Sequence, residues 1–283
     1  MSVLRLLALA VGVVACAPTP PPRPGQYHAS DADLAVTRLG HAGLVLEIAG
    51  RHFLLDPWLH DGLFVRQRES LGLHPDHFPA ASAVLLTDDE ATRVDPAALE
   101  QLARTVPHAL APPALAARLA ERGFRDVVAL GWWQEATIDG VRITAVPARG
   151  DGFVFRAADV TLYVAGEGGD VAAAAEIRRA VGPIDVALVP IGGRRTFGVR
   201  TETDPEQGAA IAATLGARRV IPIAYGAVGT FPFVTFARDP VGRFRAAAEQ
   251  AGIPPAAIVP LESGESWHYY GAAPPSRARS SAR

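Results

Sequence analysis

The chain has 283 residues, enough for one large domain or two small ones with a substantial core. Hydrophobic residues make up 49% and charged residues 20%, and a formal net charge of −2 carries no nucleic-acid footprint. All 27 basic residues are arginine, which excludes Schiff-base and P-loop lysine chemistry; the single cysteine, Cys16, excludes an internal disulfide and a thiolate-rich zinc site.

Residues 1–15 carry one charge, Arg5, ahead of an apolar run too short to span a bilayer, the layout of a signal peptide. That run ends Val13-Val14-Ala15-Cys16, which resembles a bacterial lipobox. A lipid on Cys16 is expected to tether the domain to a membrane. Ala17 after the cysteine points, by resemblance to Gram-negative sorting, to the outer membrane facing the periplasm. Residues 16–32 include five prolines between 17 and 25 and read as a stiff spacer. The folded domain is expected at 33–271, followed by a disordered tail at 272–283.

Three short strands are predicted at 34–39, 43–49 and 52–56, with a Gly40-His41-Ala42 turn and a tight hairpin at Gly50-Arg51. Residues 62–79 form a loop holding His74 and His77, whose spacing suits a metal; Pro75 argues against a helix there. Val84-Leu85-Leu86 is a buried strand that runs into Asp88-Asp89-Glu90, the position where α/β folds place their chemistry. Asp95 N-caps a helix opened by Pro96 and running over 97–104. Strand 105–111 and helix 113–123 follow, then strands within 126–148, a hairpin over 154–165 and an alanine-rich helix at 171–181. Strand 186–190, helix 205–215, strand 219–223, helix 240–251 and a strand near 258–259 complete the domain. Two strand-rich halves, each finished with helices, imply two facing sheets with helices outside. No G-x-S-x-G elbow supports a serine triad.

The run LGHAGLVLE at 39–47, Asp56-Pro57 and Leu85-Leu86-Thr87 resemble the metallo-β-lactamase fold. So, in order, do Gly131-Trp132-Trp133, Val146-Pro147-Ala148, Tyr163-Val164-Ala165-Gly166, the 186–191 strand, Pro205-Glu206 and Pro222-Ile223-Ala224-Tyr225-Gly226. The branch with ascorbate-6-phosphate lactonase and N-acyl-phosphatidylethanolamine phospholipase D is the nearest in look. The resemblance implies an αββα sandwich with two metal ions, usually zinc, at one edge, held by a Thr-His-x-His-x-Asp-His motif.

This chain departs from that motif at each ligand. The ligand positions now carry Asp88, Glu90, Thr92, Arg93, Gly150 (or Arg149), Glu167 and Ala224. Arg93 repels a dication and is able to take its place. No cofactor is therefore expected, zinc least of all, and the first reading is a non-catalytic, lipid-anchored binding or scaffold domain. The alternative is a hydrolase of phosphodiesters, phosphoesters or lactones. It would use Asp88, Glu90 and Glu167 as a hard oxygen cage for Mg²⁺, Mn²⁺ or Ca²⁺. A metal-free version makes Glu90 or Glu167 the general base, with Arg93 or Arg149 steadying an anion. His41, Asp56 and Asp88 are expected around the pocket, His41 first as a structural turn residue. Trp132 and Trp133 are expected in the core and at a sheet edge. Arg194, Arg195 and Arg200 either receive an anion or form a solvated loop, and the apolar loop 231–236 either caps the pocket or touches lipid.

Overall fold

A computed structural model describes residues 27–88, 95–157, 159–166 and 168–271. The expected leader, the expected lipidation site Cys16, the expected spacer up to Gln26, Glu90, Thr92, Arg93, Glu167 and the tail lie outside the described residues. Two mixed sheets face each other. The first has seven strands in the spatial order Ser266–Tyr269, Leu34–Gly40, Gly43–Ile48, Arg51–Leu55, Ala83–Leu85, His108–Ala111 and Asp126–Ala129. The second has six, in the order Arg219–Ile223, Val186–Pro190, Val160–Val164, Gly150–Ala157, Val141–Ala148 and Glu135–Ile138. Between them lies one apolar core built from both inner faces, where Phe53 meets Phe155 edge to face at 5.7 Å.

Helices cover both outer faces. Helix α1 (Pro96–Leu102) and helix α2 (Pro113–Glu121) bury Leu99, Leu102, Leu115 and Leu119 against Val45, Leu54 and Val84 of the first sheet. Helices α3 (Val171–Val181), α4 (Pro205–Leu215) and α5 (Pro240–Gln250) bury Ile177, Ile211, Leu215 and Phe244 against Val154, Tyr163 and Val189 of the second. The architecture is the expected αββα sandwich. Strand–helix starts follow one local rule: Asp95, Asp170, Asp204 and Asp239 each accept the backbone N–H three residues ahead, and three of them precede a proline.

Several boundaries differ from expectation. The strand near 258–259 is an isolated bridge from Ile258 to Val220, and the last strand is Ser266–Tyr269, paired with Leu34–Thr37. The loop 62–79 contains a short strand, Val65–Gln67, paired with Ala227–Gly229, and a single 3-10 turn at Pro75–His77. The fold also begins before residue 33. Tyr27 donates its hydroxyl proton to Glu47 at 2.7 Å, and the Ser30 N–H donates to the same carboxylate at 3.1 Å.

That corner carries a pH prediction. Burial holds the His52 imidazole below its usual range, partly opposed by Glu47, whose Oε2 lies 3.8 Å away. A depressed histidine binds protons more readily in the unfolded chain. Its contribution is therefore intact above the unfolded pKa of about 6.5 and lost as pH falls below it. Urea midpoints are expected to decline between pH 7 and pH 5, and His52→Gln is expected to flatten that slope.

Candidate functional site

In each sheet the parallel strands end at one edge, and backbone contacts tie the two edges together there. Asp151 N–H donates to Thr87 O at 2.7 Å, and Ala224 N–H donates to His41 O at 3.0 Å. The candidate site is built on this edge.

Asp56 follows its strand in the left-handed region at φ 43° and is fully buried. Its Oδ1 accepts the Thr87 N–H at 2.8 Å and its Oδ2 accepts the Thr87 hydroxyl at 2.7 Å. One carboxylate thus fixes both donors of the residue that leads into Asp88. Asp88 is itself buried, with an oxygen 3.4 Å from the Thr87 hydroxyl. Asp56, Thr87 and Asp88 thus lie together at this edge.

The other family positions are less accommodating. Gly150 sits at φ 68°, and a Cβ there would lie 2.9 Å from both Asp88 Cβ and Thr87 O. An imidazole at 150 has no room beside Asp88 without a backbone shift. Ala224 is fully buried, packed into the apolar core, and offers no side-chain donor. Arg149 is exposed and donates to the carbonyl of Arg200 at 3.2 Å.

His41 is buried at φ 43°, with its ring edge-on to Trp58 at 5.5 Å and to Phe236 at 5.7 Å. It is a buried turn residue seated in an aromatic cluster. His74 and His77 meet edge to face with ring centroids 6.0 Å apart, and His74 Nδ1 accepts the Asp76 N–H at 3.3 Å; no third ligand joins them among the described residues. His60 pairs with Asp95 at 3.0 Å. Asp95 thus caps α1 and also accepts the backbone N–H groups of Leu59 and His60.

Two buried carboxylates at this edge escaped the sequence reading. Asp151 accepts the Trp132 indole N–H at 2.5 Å, and burial raises its pKa above the usual carboxylate value. Trp132 is accordingly exposed at the site rim and not in the core, which corrects the expectation for it. Glu202 is buried beside Gly192, close to the carbonyl of Ala224: a Cβ on Gly192 would meet both. Arg194, read as either receiving an anion or lying in a solvated loop, is buried, and its Nε donates to the Thr201 hydroxyl at 3.0 Å. Arg195 and Arg200 are exposed, and Arg200 pairs with Asp204.

Among the described residues no three His, Cys, Asp or Glu side chains come together to hold an ion. The described residues do not fit a dinuclear zinc centre: no imidazole reaches the edge from positions 88, 150 or 224.

Comparison with known proteins gives four findings. The profile of the family described as "Beta-lactamase superfamily domain" matches residues 51–225. A UPF0173 metal-dependent hydrolase of Pyrococcus furiosus is 30% identical over 248 residues, spanning 82% of this chain and 97% of the relative. An uncharacterized protein of Mycobacterium tuberculosis is 28% identical over 274 residues, spanning 86% and 72%. Among solved structures, Igni18, a metallo hydrolase from Ignicoccus hospitalis, superposes with a TM-score of 0.67 at 23% identity, covering 83% of this chain and 98% of that one. The structural likeness supports the fold alone.

Proposed function

Because the chain belongs to the β-lactamase superfamily domain family, with metal-dependent hydrolase homologues, we propose that it is a hydrolase with a rebuilt carboxylate site. Its substrates are phosphodiesters, phosphoesters or lactones, the bonds suggested by its look of the lactonase and phospholipase branch. The observation that carries the reading is the likeness to the Pyrococcus hydrolase over nearly that protein's whole length. The relatives favour this reading over a non-catalytic scaffold. The buried Asp56–Thr87–Asp88 network at the sheet edge supports it, since it keeps a carboxylate where the family places its chemistry.

In this reading Asp88, with Glu90 and Glu167, supplies hard oxygen donors suited to Mg²⁺, Mn²⁺ or Ca²⁺ in place of zinc. Without a metal, Glu90 or Glu167 serves as general base, and Arg93 or Arg149 steadies the anion. A second reading, a non-catalytic binding domain, is favoured by Ala224 and by the closed space at Gly150. Lipid anchoring through Cys16, on the periplasmic face of an outer membrane, belongs to either reading.

Metal content separates the two. The chain is purified without chelator, loaded with Mg²⁺, Mn²⁺, Ca²⁺ or Zn²⁺, desalted and measured by mass spectrometry beside an Asp88→Ala/Glu90→Ala variant. The expected result is near-stoichiometric Mn²⁺ or Ca²⁺ that the variant loses, with turnover of a phosphodiester or lactone panel. A chain that takes up no ion and turns over no ester would sink the hydrolase reading.

A further inference from the structure

Three loops at the site edge gather exposed apolar side chains. Leu63 is 86% exposed, Phe231 81%, Phe197 75% and Val199 67%, with Phe64 and Phe233 about half covered. They form one patch. Phe233 meets Phe64 at 5.9 Å and Phe197 at 5.8 Å, each ring edge to face. The backbone holds the loops together: Phe197 N–H donates to Phe233 O at 2.7 Å, and Thr230 N–H donates to Phe64 O at 2.9 Å. Short ribbons fix the register, Arg66 opposite Val228 and Arg195 opposite Thr235. Beneath lies a buried cluster of Trp58, Val65, Ala227 and Val234, with Phe236 against it, which seats the patch on His41. The rings are therefore carried on a stiff base. A soluble surface rarely keeps so many large apolar groups in one exposed patch without a partner.

Charge identifies the partner. The chain as a whole holds slightly more acidic than basic residues. The three loop segments, 62–68, 194–201 and 227–238, hold six arginines and no aspartate or glutamate. Arg66, Arg68, Arg195 and Arg238 are exposed around the rings, while Arg200 is held by Asp204. Aromatic and branched side chains ringed by arginine match the boundary of an anionic bilayer, where rings enter the acyl edge and guanidinium groups meet phosphates. Lipid on Cys16 would put a bilayer within about 40 Å of Tyr27, the reach of the eleven residue steps between them.

We propose that this aromatic–arginine crown is a docking surface for anionic phospholipid bilayers, holding the site edge against the membrane. The proposal is independent of whether the site hydrolyses anything.

The test places a reporter in the crown of the full chain carrying Cys16→Ser: Phe231→Trp, with Phe197→Trp as a second position. Tryptophan emission is read as the difference from the same chain without the reporter. The vesicles are phosphatidylcholine with one quarter phosphatidylglycerol, and bromine on the acyl chains is the quencher. A blue shift and quenching at both positions are expected, with lipid affinity falling about fivefold for each of Arg66→Gln and Arg195→Gln in the reporter chain. The proposal is overturned if both reporters stay water-exposed while the chain sediments with vesicles. It is equally overturned if neutral vesicles quench as well as anionic ones, or if the shift appears at the same protein concentration without lipid, the mark of a second copy covering the patch.

Discussion

Replacing Glu69 by alanine is expected to destabilise the chain by about 3 kcal/mol, read as a lower urea midpoint at unchanged slope. Its partner Arg38 lies on the strand Leu34–Gly40 and is fully buried. Both terminal nitrogens donate to Glu69, at 2.5 and 3.2 Å, and they also donate to the carbonyls of Tyr225 at 2.7 Å and Leu261 at 3.0 Å. The guanidinium carbon rests 4.0 Å above the Tyr225 ring. Removing the carboxylate strands a cation in the interior with two carbonyls and a ring, and those do not replace hydration. Glu69 is itself about one quarter exposed, so the figure is set at the lower end for a buried pair. The double replacement Arg38→Leu/Glu69→Leu is expected to recover part of the loss, because the uncompensated charge leaves with the arginine. The pair matters for the site because it grips Tyr225, the neighbour of Ala224. Gly226 at φ 90° exists to allow this: a Cβ there would stand 1.9 Å from Glu69 and 2.6 Å from Arg38.

The parts of this fold legible in the sequence are those set by short-range signals. The continuous apolar runs at 84–86, 186–190 and 220–223 fell in parallel strands buried on both faces. Four helix starts were marked by aspartate, three of them followed by proline, and those helices begin where expected within a residue. What was not legible depends on partners distant in the chain. Ser266–Tyr269 is a polar, half-exposed edge strand whose register comes from residues 34–37, more than two hundred positions earlier. The two-residue ribbons around Phe197 and Val234 have too few residues to show a period.

The same division runs through the site. Asp56 and Asp88 stood out because each ends an apolar strand. Asp151 and Glu202 did not, because their burial is made by Trp132 and by the turn at Gly192, far from them in sequence. The resemblance gave the ligand positions, but the obstruction at 150 comes from a close approach of Asp88 that no spacing reveals. Glu90, Arg93 and Glu167 lie outside the described residues, and their roles stand as proposed.

Asp56→Ala is expected to cost about 2–5 kcal/mol, seen as a melting temperature lower by roughly 10 °C. The substitution takes away the acceptor of the Thr87 N–H and the nearer acceptor of its hydroxyl, leaving the hydroxyl the Asp88 oxygen at 3.4 Å, at a position that water does not reach. Each buried donor left without that acceptor costs about 1–3 kcal/mol. Alanine also pays the steric cost of the left-handed conformation that Asp56 adopts at φ 43°. Asparagine is a sharper control than alanine. It tolerates that conformation and keeps one carbonyl oxygen for the Thr87 N–H, while its NH₂ can donate to the Thr87 oxygen. Asp56→Asn is therefore expected to retain more than half of the stability that alanine loses. Activity need not follow stability here. Thr87 positions Asp88, so under the hydrolase reading Asp56→Ala is expected to lower turnover at least tenfold at a temperature where the variant is fully folded. A folded Asp56→Ala variant with unchanged turnover would mean that Asp88 is not held through Thr87, and the chemistry would have to be sought along the Asp151 and Glu202 side of the same edge.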